Sequence, residues 1–265
     1  MPGNGAIILR SNSSVVIFGA HPDDAVRACG GVILRATAAG ARVLVVKATD
    51  GAALGGPEGV PTGRRMAEDR KREEFRALEM LGFPRRNLLL LGFPDGGLEA
   101  LRNDYFEKTG LPYYCPWLDS DRTRGRDAAC VGLPFFGATL ARVLRAVVER
   151  ARPTHVLTHC SRDRHADHRA LTWFVKEALR AAKLRPAVFE YLTYHTRTKW
   201  PSNPGPRILP REAAKLRLPG RIIDFALTPG ETRVKDRALD EFIPVLGTGY
   251  FKPWRRTNEI FWRTA

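Results

Sequence analysis

The chain has 265 residues, of which 44% are hydrophobic and 27% charged, and this balance excludes a largely disordered protein. No apolar run approaches the roughly 18 residues that cross a membrane, and the first residues lack the apolar core of a secretory signal. We therefore expect a cytoplasmic protein without a membrane span. The 43 Lys and Arg against 28 Asp and Glu give a net charge of +15. This excess leaves three explanations open: a nucleic-acid partner, an anionic ligand, or an Arg-rich background.

The predicted elements alternate between strand and helix over residues 1–195. Short apolar runs predict buried strands at 15–20, 43–47, 87–91, 155–158 and 187–194. Apolar residues at helical spacing predict the intervening helices at 25–40, 64–81, 135–150 and 167–183. This alternation predicts an α/β fold with a Rossmann-like, doubly wound, mostly parallel sheet.

The tail, residues 196–265, has a different composition. It opens with the Pro-rich stretch KWPSNPGPRILP, and it then predicts a strand at 221–227, a helix at 231–242 and a strand at 259–262. It is too short and too rich in proline for an independent domain. We therefore expect a single domain, residues 1–265, whose catalytic core at 1–195 carries the tail as a C-terminal strand–helix–strand layer packed on the sheet.

Ionisable residues follow three of the predicted strands, where ligands bind in open α/β sheets. HPDD (residues 21–24) follows the first strand, PDGG (94–97) follows the third, and HCSRDRHADH (159–168) follows the fourth. A lone histidine is most often structural, but two such clusters at one sheet edge predict a shared site. Two imidazoles and one carboxylate form a common catalytic Zn²⁺ shell, and Fe²⁺ or another divalent metal takes the same ligands.

The HPDD and HxDH motifs together resemble those of the LmbE-like zinc deacetylases, the family of N-acetylglucosaminyl-phosphatidylinositol de-N-acetylase. The segments AHPDDAVRACGGVILRATAAGARV, LGFPRRNLLLLGFPDGGL and NEIFW follow in family order, so the resemblance spans nearly the whole chain. It implies a zinc-dependent hydrolase that removes the N-acetyl group from an N-acetylglucosamine-type amino sugar or its conjugate.

The same resemblance implies a role for each motif residue. Asp23 would be the general base that takes a proton from the attacking water. His165 would stabilise the oxyanion or protonate the leaving amine, with Asp167 orienting it. Three residues would bind the zinc ion: His21, Asp24 and His168.

Two further positions, Arg70 and Asp95, match family positions that contact sugar or inositol hydroxyls. Asp95 also fits an ordinary turn, and Arg70 also fits a solvated arginine-rich helix face. The chain departs from the family pattern at the late helix, which ends DEFIPVL where many relatives have a polar stretch, and in two places near the motifs. Ala25 stands where a glutamate often follows the two aspartates, and no tyrosine precedes His165, where some relatives place a mobile tyrosine that helps the oxyanion.

Three functions remain open from the sequence. The first is an N-deacetylase for a small amino-sugar conjugate, anionic if the net charge serves binding. The second is an amidase that uses the same residues on a larger antibiotic or thiol conjugate. The third is a non-enzymatic nucleic-acid-binding protein, which the metal and acid–base motifs disfavour. The sequence is also compatible with a homo-oligomer.

Several arginines flank the segments that we expect to form the rim of the pocket: Arg64, Arg65, Arg70, Arg122, Arg124 and Arg126.

Overall fold

The computed structural model describes residues 7–53, 63–124, 129–202 and 205–265. Its strands are β1 (Ser14–Gly19), β2 (Arg42–Thr49), β3 (Leu88–Phe93), β4 (His155–His159), β5 (Ala187–Tyr191), β6 (Arg221–Ala226) and β7 (Asn258–Arg263). Its helices are α1 (Asp24–Ala38), α2 (Arg64–Met80), α3 (Leu98–Asn103), α4 (Gly137–Ala151), α5 (Ala166–Ala181), α6 (Pro210–Lys215), α7 (Pro229–Asp240), α8 (Ile243–Leu246) and α9 (Thr248–Phe251). All the strands and helices expected in residues 1–195 are therefore present, and α3 is added to them.

The strands form one seven-stranded sheet in the order β3-β2-β1-β4-β5-β7-β6. β1 to β5 run parallel, and Ile17 in β1 pairs with Val45 in β2 and Leu157 in β4. The chain order reverses between β1 and β4, and this opens a crevice at the carboxyl ends of those two strands. The predicted doubly wound, mostly parallel sheet is confirmed, and the histidine and aspartate motifs both start at this crevice.

Helices cover both faces of the sheet, which explains why β1 is buried along its whole length. Val15 and Ile17 point into a core shared with α1, α7 and the tail. Val16 and Phe18 point into a second core shared with α3, α4 and α5. The alternation of side chains along β1 therefore contributes to both cores and holds the strand rigidly beneath the crevice.

The tail extends the sheet beyond β5. β7 lies between β5 and β6 and is antiparallel to both. The predicted strand–helix–strand is present, but its strands lie in the sheet itself, and only α7 lies in the helix layer, beside α1 and α2. The physical reason is that β5 would otherwise leave a row of unpaired backbone groups at the sheet edge.

A buried ion pair ties the tail to α1. The Glu259 carboxylate on β7 accepts hydrogen bonds from the backbone N–H groups of Gly31 (2.8 Å) and Val32 (3.2 Å) in α1. Its Oε1 also lies 2.6 Å from Nζ of Lys235 in α7, and both side chains are buried. The helix that begins at the crevice is thus held in place from the far side by the last strand.

None of the helices in the described ranges is both long enough and apolar enough to span a bilayer.

Candidate metal centre and active site

The crevice is lined first by the loop from β1 to α1. His21 lies in this loop, Asp23 immediately precedes α1, and Asp24 is the first residue of the helix. Asp23 has φ 92° and ψ −32°, a conformation that residues with a side chain rarely adopt. Strained backbone of this kind costs on the order of 1–3 kcal/mol and persists where surrounding contacts enforce it. Both carboxylates contact Arg27, but Asp24 also faces the histidines, whereas Asp23 also pairs with Arg70.

Three donor atoms converge where this loop meets the first turn of α5. His21 Nδ1 lies 3.2 Å from His168 Nε2 and 3.5 Å from Asp24 Oδ2, and His168 Nε2 lies 3.6 Å from the same oxygen. An ion bound tetrahedrally with bonds of about 2.1 Å places its donor atoms about 3.4 Å apart. The triangle formed by these atoms matches one face of such a coordination shell, so the residues fit a small divalent metal.

The hydrogen bonds of His21 also suit metal binding. Its Nε2 lies 3.0 Å from Asp95 Oδ1 and 3.2 Å from Asp167 Oδ2. Because an ionised carboxylate only accepts hydrogen bonds, these neighbours favour the tautomer with its proton on Nε2. The lone pair of Nδ1 then faces His168 and Asp24, which is the arrangement that carboxylate partners impose on histidine ligands of metals.

The buried charges of the site favour a bound cation. Its buried carboxylates outnumber its buried guanidiniums by three: Asp23, Asp24, Asp95, Asp163 and Asp167 against Arg27 and Arg70. Burial lowers the pKa of His21, but the carboxylates around it, led by Asp95, outweigh burial and raise that pKa well above its ordinary value. Burial lowers the pKa of His168 to about 3, so this imidazole is neutral, as a metal ligand must be. A divalent ion would offset most of the negative excess.

Two arginines hold the Asp23 carboxylate beside the metal triangle. Arg70 donates from Nη2 to its Oδ1 at 3.0 Å, and Nη1 of Arg27 lies 3.3 Å from its Oδ2. Burial and the neighbouring Asp24 raise the pKa of Asp23, and the two arginines oppose this rise. A carboxylate with a raised pKa next to the metal triangle, but outside it, is suited to accept and release a proton.

His165 lies beside the two histidines of the triangle. Its ring centre is 4.6 Å from the ring centres of both His21 and His168. Its backbone N–H donates to Asp163 Oδ1 at 2.9 Å, while its Nδ1 is buried without a hydrogen-bond partner in the described parts of the chain. Burial and the neighbouring His21 lower the pKa of His165, so the ring is neutral at pH 7. A free ring nitrogen at the crevice can accept or donate one hydrogen bond to a ligand.

The structure brings all eight predicted site residues into one cluster. Among the described residues, Asp167 forms no hydrogen bond with His165. Its carboxylate accepts from the backbone N–H groups of Gly96 (2.7 Å) and Leu98 (3.0 Å). It thereby ties the loop after β3 to α5. Arg70 is only 3% exposed, so it does not lie on a solvated helix face. Asp95 is only 5% exposed, so the interpretation as an ordinary surface turn is incomplete.

Two residues at the crevice were given no role by sequence reasoning. Asp163 Oδ1 lies 3.2 Å from His168 Nδ1, and its Oδ2 accepts from the N–H groups of Thr193 and Tyr194 after β5. His159 Nε2 accepts from the Ala20 N–H at 3.1 Å and lies 3.1 Å from Asp24 Oδ2, so His159, Asp24 and His168 form a second group of atoms that could hold a metal ion. In the sequence, only their positions inside the HCSRDRHADH motif indicated that Asp163 and His159 could lie at the site.

Arg27 and two tyrosines were also missed. The Arg27 guanidinium donates to Asp24 Oδ1 at 2.6 Å and to the hydroxyls of Tyr250 (2.9 Å) and Tyr194 (3.3 Å), which contact each other. The Tyr194 ring centre lies 5.9 Å from that of His168. No tyrosine precedes His165 in the sequence, but Tyr194 and Tyr250, from distant parts of the chain, lie near His165 and His168.

Comparisons with known proteins gave one matching family and several structures with the same fold. A profile of the GlcNAc-PI de-N-acetylase family matches residues 16–179, from β1 through α5, which includes both motifs. No curated protein matches the chain significantly. Among solved structures, a zinc-inhibited form of teicoplanin deacetylase is 17% identical, with 94% of this chain and 96% of that chain covered and a TM-score of 0.58.

Two other structures share the fold at similar distance. N,N'-diacetylchitobiose deacetylase from Pyrococcus horikoshii is 16% identical over 93% of this chain and 82% of that chain, with a TM-score of 0.55. The 4-carboxy-2-hydroxymuconate hydratase from Pseudomonas putida KT2440 is 19% identical over 92% and 82%, with a TM-score of 0.54. Because these identities are low, the similarity shows the fold, which carries more than one chemistry. The family profile covers more than half of the 265 residues and both motifs, so the chain belongs to the GlcNAc-PI de-N-acetylase family, and this membership supports a deacetylase.

Proposed function

We propose that this protein is a zinc-dependent hydrolase that removes the N-acetyl group from an N-acetylglucosamine-type amino sugar or its conjugate. The observation that carries the proposal is the donor triangle of His21, Asp24 and His168, with edges of 3.2–3.6 Å. These three residues would hold the metal, for which Zn²⁺ is the first choice and Fe²⁺ an alternative. When bound, such an ion supplies Lewis acidity and makes a water molecule acidic enough to ionise near pH 7.

Asp23 is assigned as the general base of this reaction. Its carboxylate lies beside the donor triangle and is held in a fixed orientation by Arg27 and Arg70. Its raised pKa favours proton uptake from the attacking water and later release of that proton to the amine. General bases in such positions contribute about 10²–10⁴-fold to the rate.

His165 is assigned to the opposite side of the scissile amide. A neutral imidazole with a free ring nitrogen can hydrogen-bond the developing oxyanion or pass a proton to the leaving amine. Asp167 acts through its neighbours: it faces His21 Nε2 and holds the loop after β3, and it precedes the metal ligand His168 in α5. We assign Asp167 to orienting His165 because Asp167 lies in the first turn of α5 and His165 immediately precedes that helix.

Arg70 and Asp95 are proposed to contact hydroxyl groups of the sugar. Both side chains contact residues assigned to the reaction: Arg70 contacts Asp23, and Asp95 contacts His21. A sugar whose N-acetyl carbonyl meets the metal ligands would bring its neighbouring hydroxyls to these two side chains. Their contacts with the catalytic residues also predict that replacing either lowers the rate as well as substrate affinity.

The proposal is tested with two isosteric variants, Asp23→Asn and Asp24→Asn. Asp23→Asn should retain zinc, measured by elemental analysis after dialysis, and should release acetate at least about 100-fold more slowly from the best substrate of a panel. Asp24→Asn should lose zinc, because it removes one of the three donors. Loss of zinc from Asp23→Asn would refute this division of roles, and failure of the wild type to bind zinc or release acetate would refute the function.

The substrate panel separates the remaining alternatives. It includes free N-acetylglucosamine, its inositol and malate conjugates, nucleotide sugars, aminoglycosides and glycopeptides. Turnover of only the large members would favour an amidase acting on an antibiotic or thiol conjugate. The alternative of a nucleic-acid-binding protein predicts strongly salt-dependent binding to DNA or RNA instead. A cytoplasmic location is part of the proposal and is supported by four cysteines that are all free thiols.

A further inference from the structure

A second pocket adjoins the catalytic crevice on its β5 side. It has a volume of about 420 Å³ and lies between the segment after β5 and the tail segment that contains α9. Its walls carry four tyrosine and tryptophan rings and four arginine and lysine side chains: Tyr194, Trp200, Tyr250, Trp254, Arg27, Arg164, Arg197 and Lys199. Because its wall includes Arg27 and Tyr194, the pocket lies next to the metal triangle.

The pocket is strongly positive. No Asp or Glu is among its described lining residues. Arg164, Arg197 and Lys199 are exposed, and none of them forms an ion pair with a carboxylate in the described ranges of the chain. These cations therefore remain available to a ligand. Arg27 lines the pocket and pairs with both Asp23 and Asp24, so it offsets part of their negative charge toward this side.

A second basic cavity under α2 differs in this respect. It has a volume of about 330 Å³ and includes Arg64 and Arg124, two of the arginines that the sequence placed at the pocket rim. Its lysines, however, are already paired: Lys71 Nζ lies 2.6 Å from Glu68, and Lys47 Nζ lies 3.0 Å from the buried Glu74. The cavity also contains Asp50, so its charges largely cancel. Arg126, another of the predicted rim arginines, lies outside the described residues.

Short distances separate the basic pocket from the proposed reacting atoms. The Tyr194 ring centre lies 6.3 Å from that of His165 and 5.9 Å from that of His168. Arg27 links the two spaces, since it lines the pocket and donates to Asp24. A sugar with its N-acetyl group at the metal ligands would therefore extend its substituent into the pocket. Aromatic rings there provide faces on which a sugar ring or a planar group stacks.

We infer that the substrate is an amino-sugar conjugate whose substituent carries a carboxylate or phosphate group, bound by Arg164, Arg197 and Lys199 against Tyr194 and Trp254. This inference rests on the proposed function, because it takes the position of the reacting amide from it. Arginine suits the role, since its planar fork of donors matches the oxygens of both anions. Part of the net charge of +15 then has a definite use.

The test compares three substrates with the same N-acetylglucosamine unit: its methyl glycoside, its malate conjugate and its 1-phosphate. The variant is Arg197→Gln/Lys199→Gln, and the control is Arg180→Gln, at the far end of α5, about 18 Å along the helix from His168. In the double variant, KM for the favoured anionic substrate should rise about tenfold relative to KM for the methyl glycoside, the effect of losing a charge-assisted hydrogen bond. The malate and phosphate arms identify which anion is bound.

Calorimetric binding of the two anionic conjugates to the same proteins separates the pocket from the chemistry. Weaker binding to the double variant than to Arg180→Gln supports the pocket. Equal binding by wild type and double variant, or an unchanged ratio of KM values, overturns it. If no substrate releases acetate from the zinc-loaded wild type while binding still depends on Arg197 and Lys199, the proposed function fails and the anion site stands.

Discussion

The buried ion pair between Lys235 and Glu259 gives a stability prediction whose size follows from the structure. Both side chains are almost completely buried, and the Glu259 carboxylate also accepts two backbone hydrogen bonds from α1. Lys235→Met removes the counterion and leaves a buried carboxylate with only those two N–H donors. Breaking a buried pair in this way costs about 3–5 kcal/mol, because the remaining charge is uncompensated.

The expected loss is large enough for a simple measurement. With an unfolding entropy of about 2 cal/mol/K per residue, a chain of this size loses about 2 °C of Tm per kcal/mol, so Lys235→Met should lower Tm by about 6–10 °C. Urea unfolding followed by circular dichroism gives the corresponding free energy. The matched control is Arg145→Gln, which breaks an exposed pair with Glu149 and should cost at most about 0.5 kcal/mol.

A double variant makes the reasoning refutable. Lys235→Met/Glu259→Gln removes both charges and should recover part of the stability that the single variant loses, because no buried charge remains. A double variant that is less stable than Lys235→Met, or a single variant within 1 kcal/mol of wild type, would show that the pair is not the dominant link between tail and α1.

Three further predictions concern the site and its supports. Asp163→Asn should weaken zinc affinity about 10–100-fold in chelator competition, because Asp163 faces the outer ring nitrogen of His168. Burial raises the pKa of Glu73 from 4.5 to about 7, so the stability its protonated form contributes is complete below pH 4.5 and is lost as the pH rises through 7. Urea midpoints should therefore fall less between pH 5 and pH 8 for Glu73→Gln than for wild type, and an identical decline would contradict this. Gly137→Ala should cost about 1–3 kcal/mol, since its Cβ would lie 2.2 Å from a backbone oxygen of α3, whereas Gly249→Ala meets nothing and should cost less than 1 kcal/mol.

Much of the fold and the metal triangle could be predicted because they depend on local patterns. Apolar runs of strand length alternate with amphipathic helices, and this order suffices for a parallel sheet. Once β1 and β4 are parallel neighbours, the residues that follow them must meet at one edge. His21, Asp24 and His168 are therefore brought together by topology, and HPDD and HADH were sufficient to find them.

The supporting charges could not be predicted in the same way. Arg27 stands three and four residues after Asp24 and Asp23, a spacing typical of exposed ion pairs on helices. It is buried because Tyr250 and Trp254, more than 200 residues later in the chain, close over it. Likewise, the sequence of α2 shows an apolar stripe, whereas Arg70 is buried because its partners lie on other elements. Such burial depends on long-range contacts that no single segment encodes.

The position of β7 has a consequence for the order in which the molecule assembles. β6 pairs with β7 and with no other strand in the described parts of the chain, although it precedes β7 by more than 30 residues. During synthesis, β6 therefore has no partner until β7 has emerged and inserted beside β5. The same step brings Glu259 to α1 and completes the contact of the tail with that helix. The wall of the basic pocket, which includes Tyr250 and Trp254, is therefore completed only after the tail has emerged.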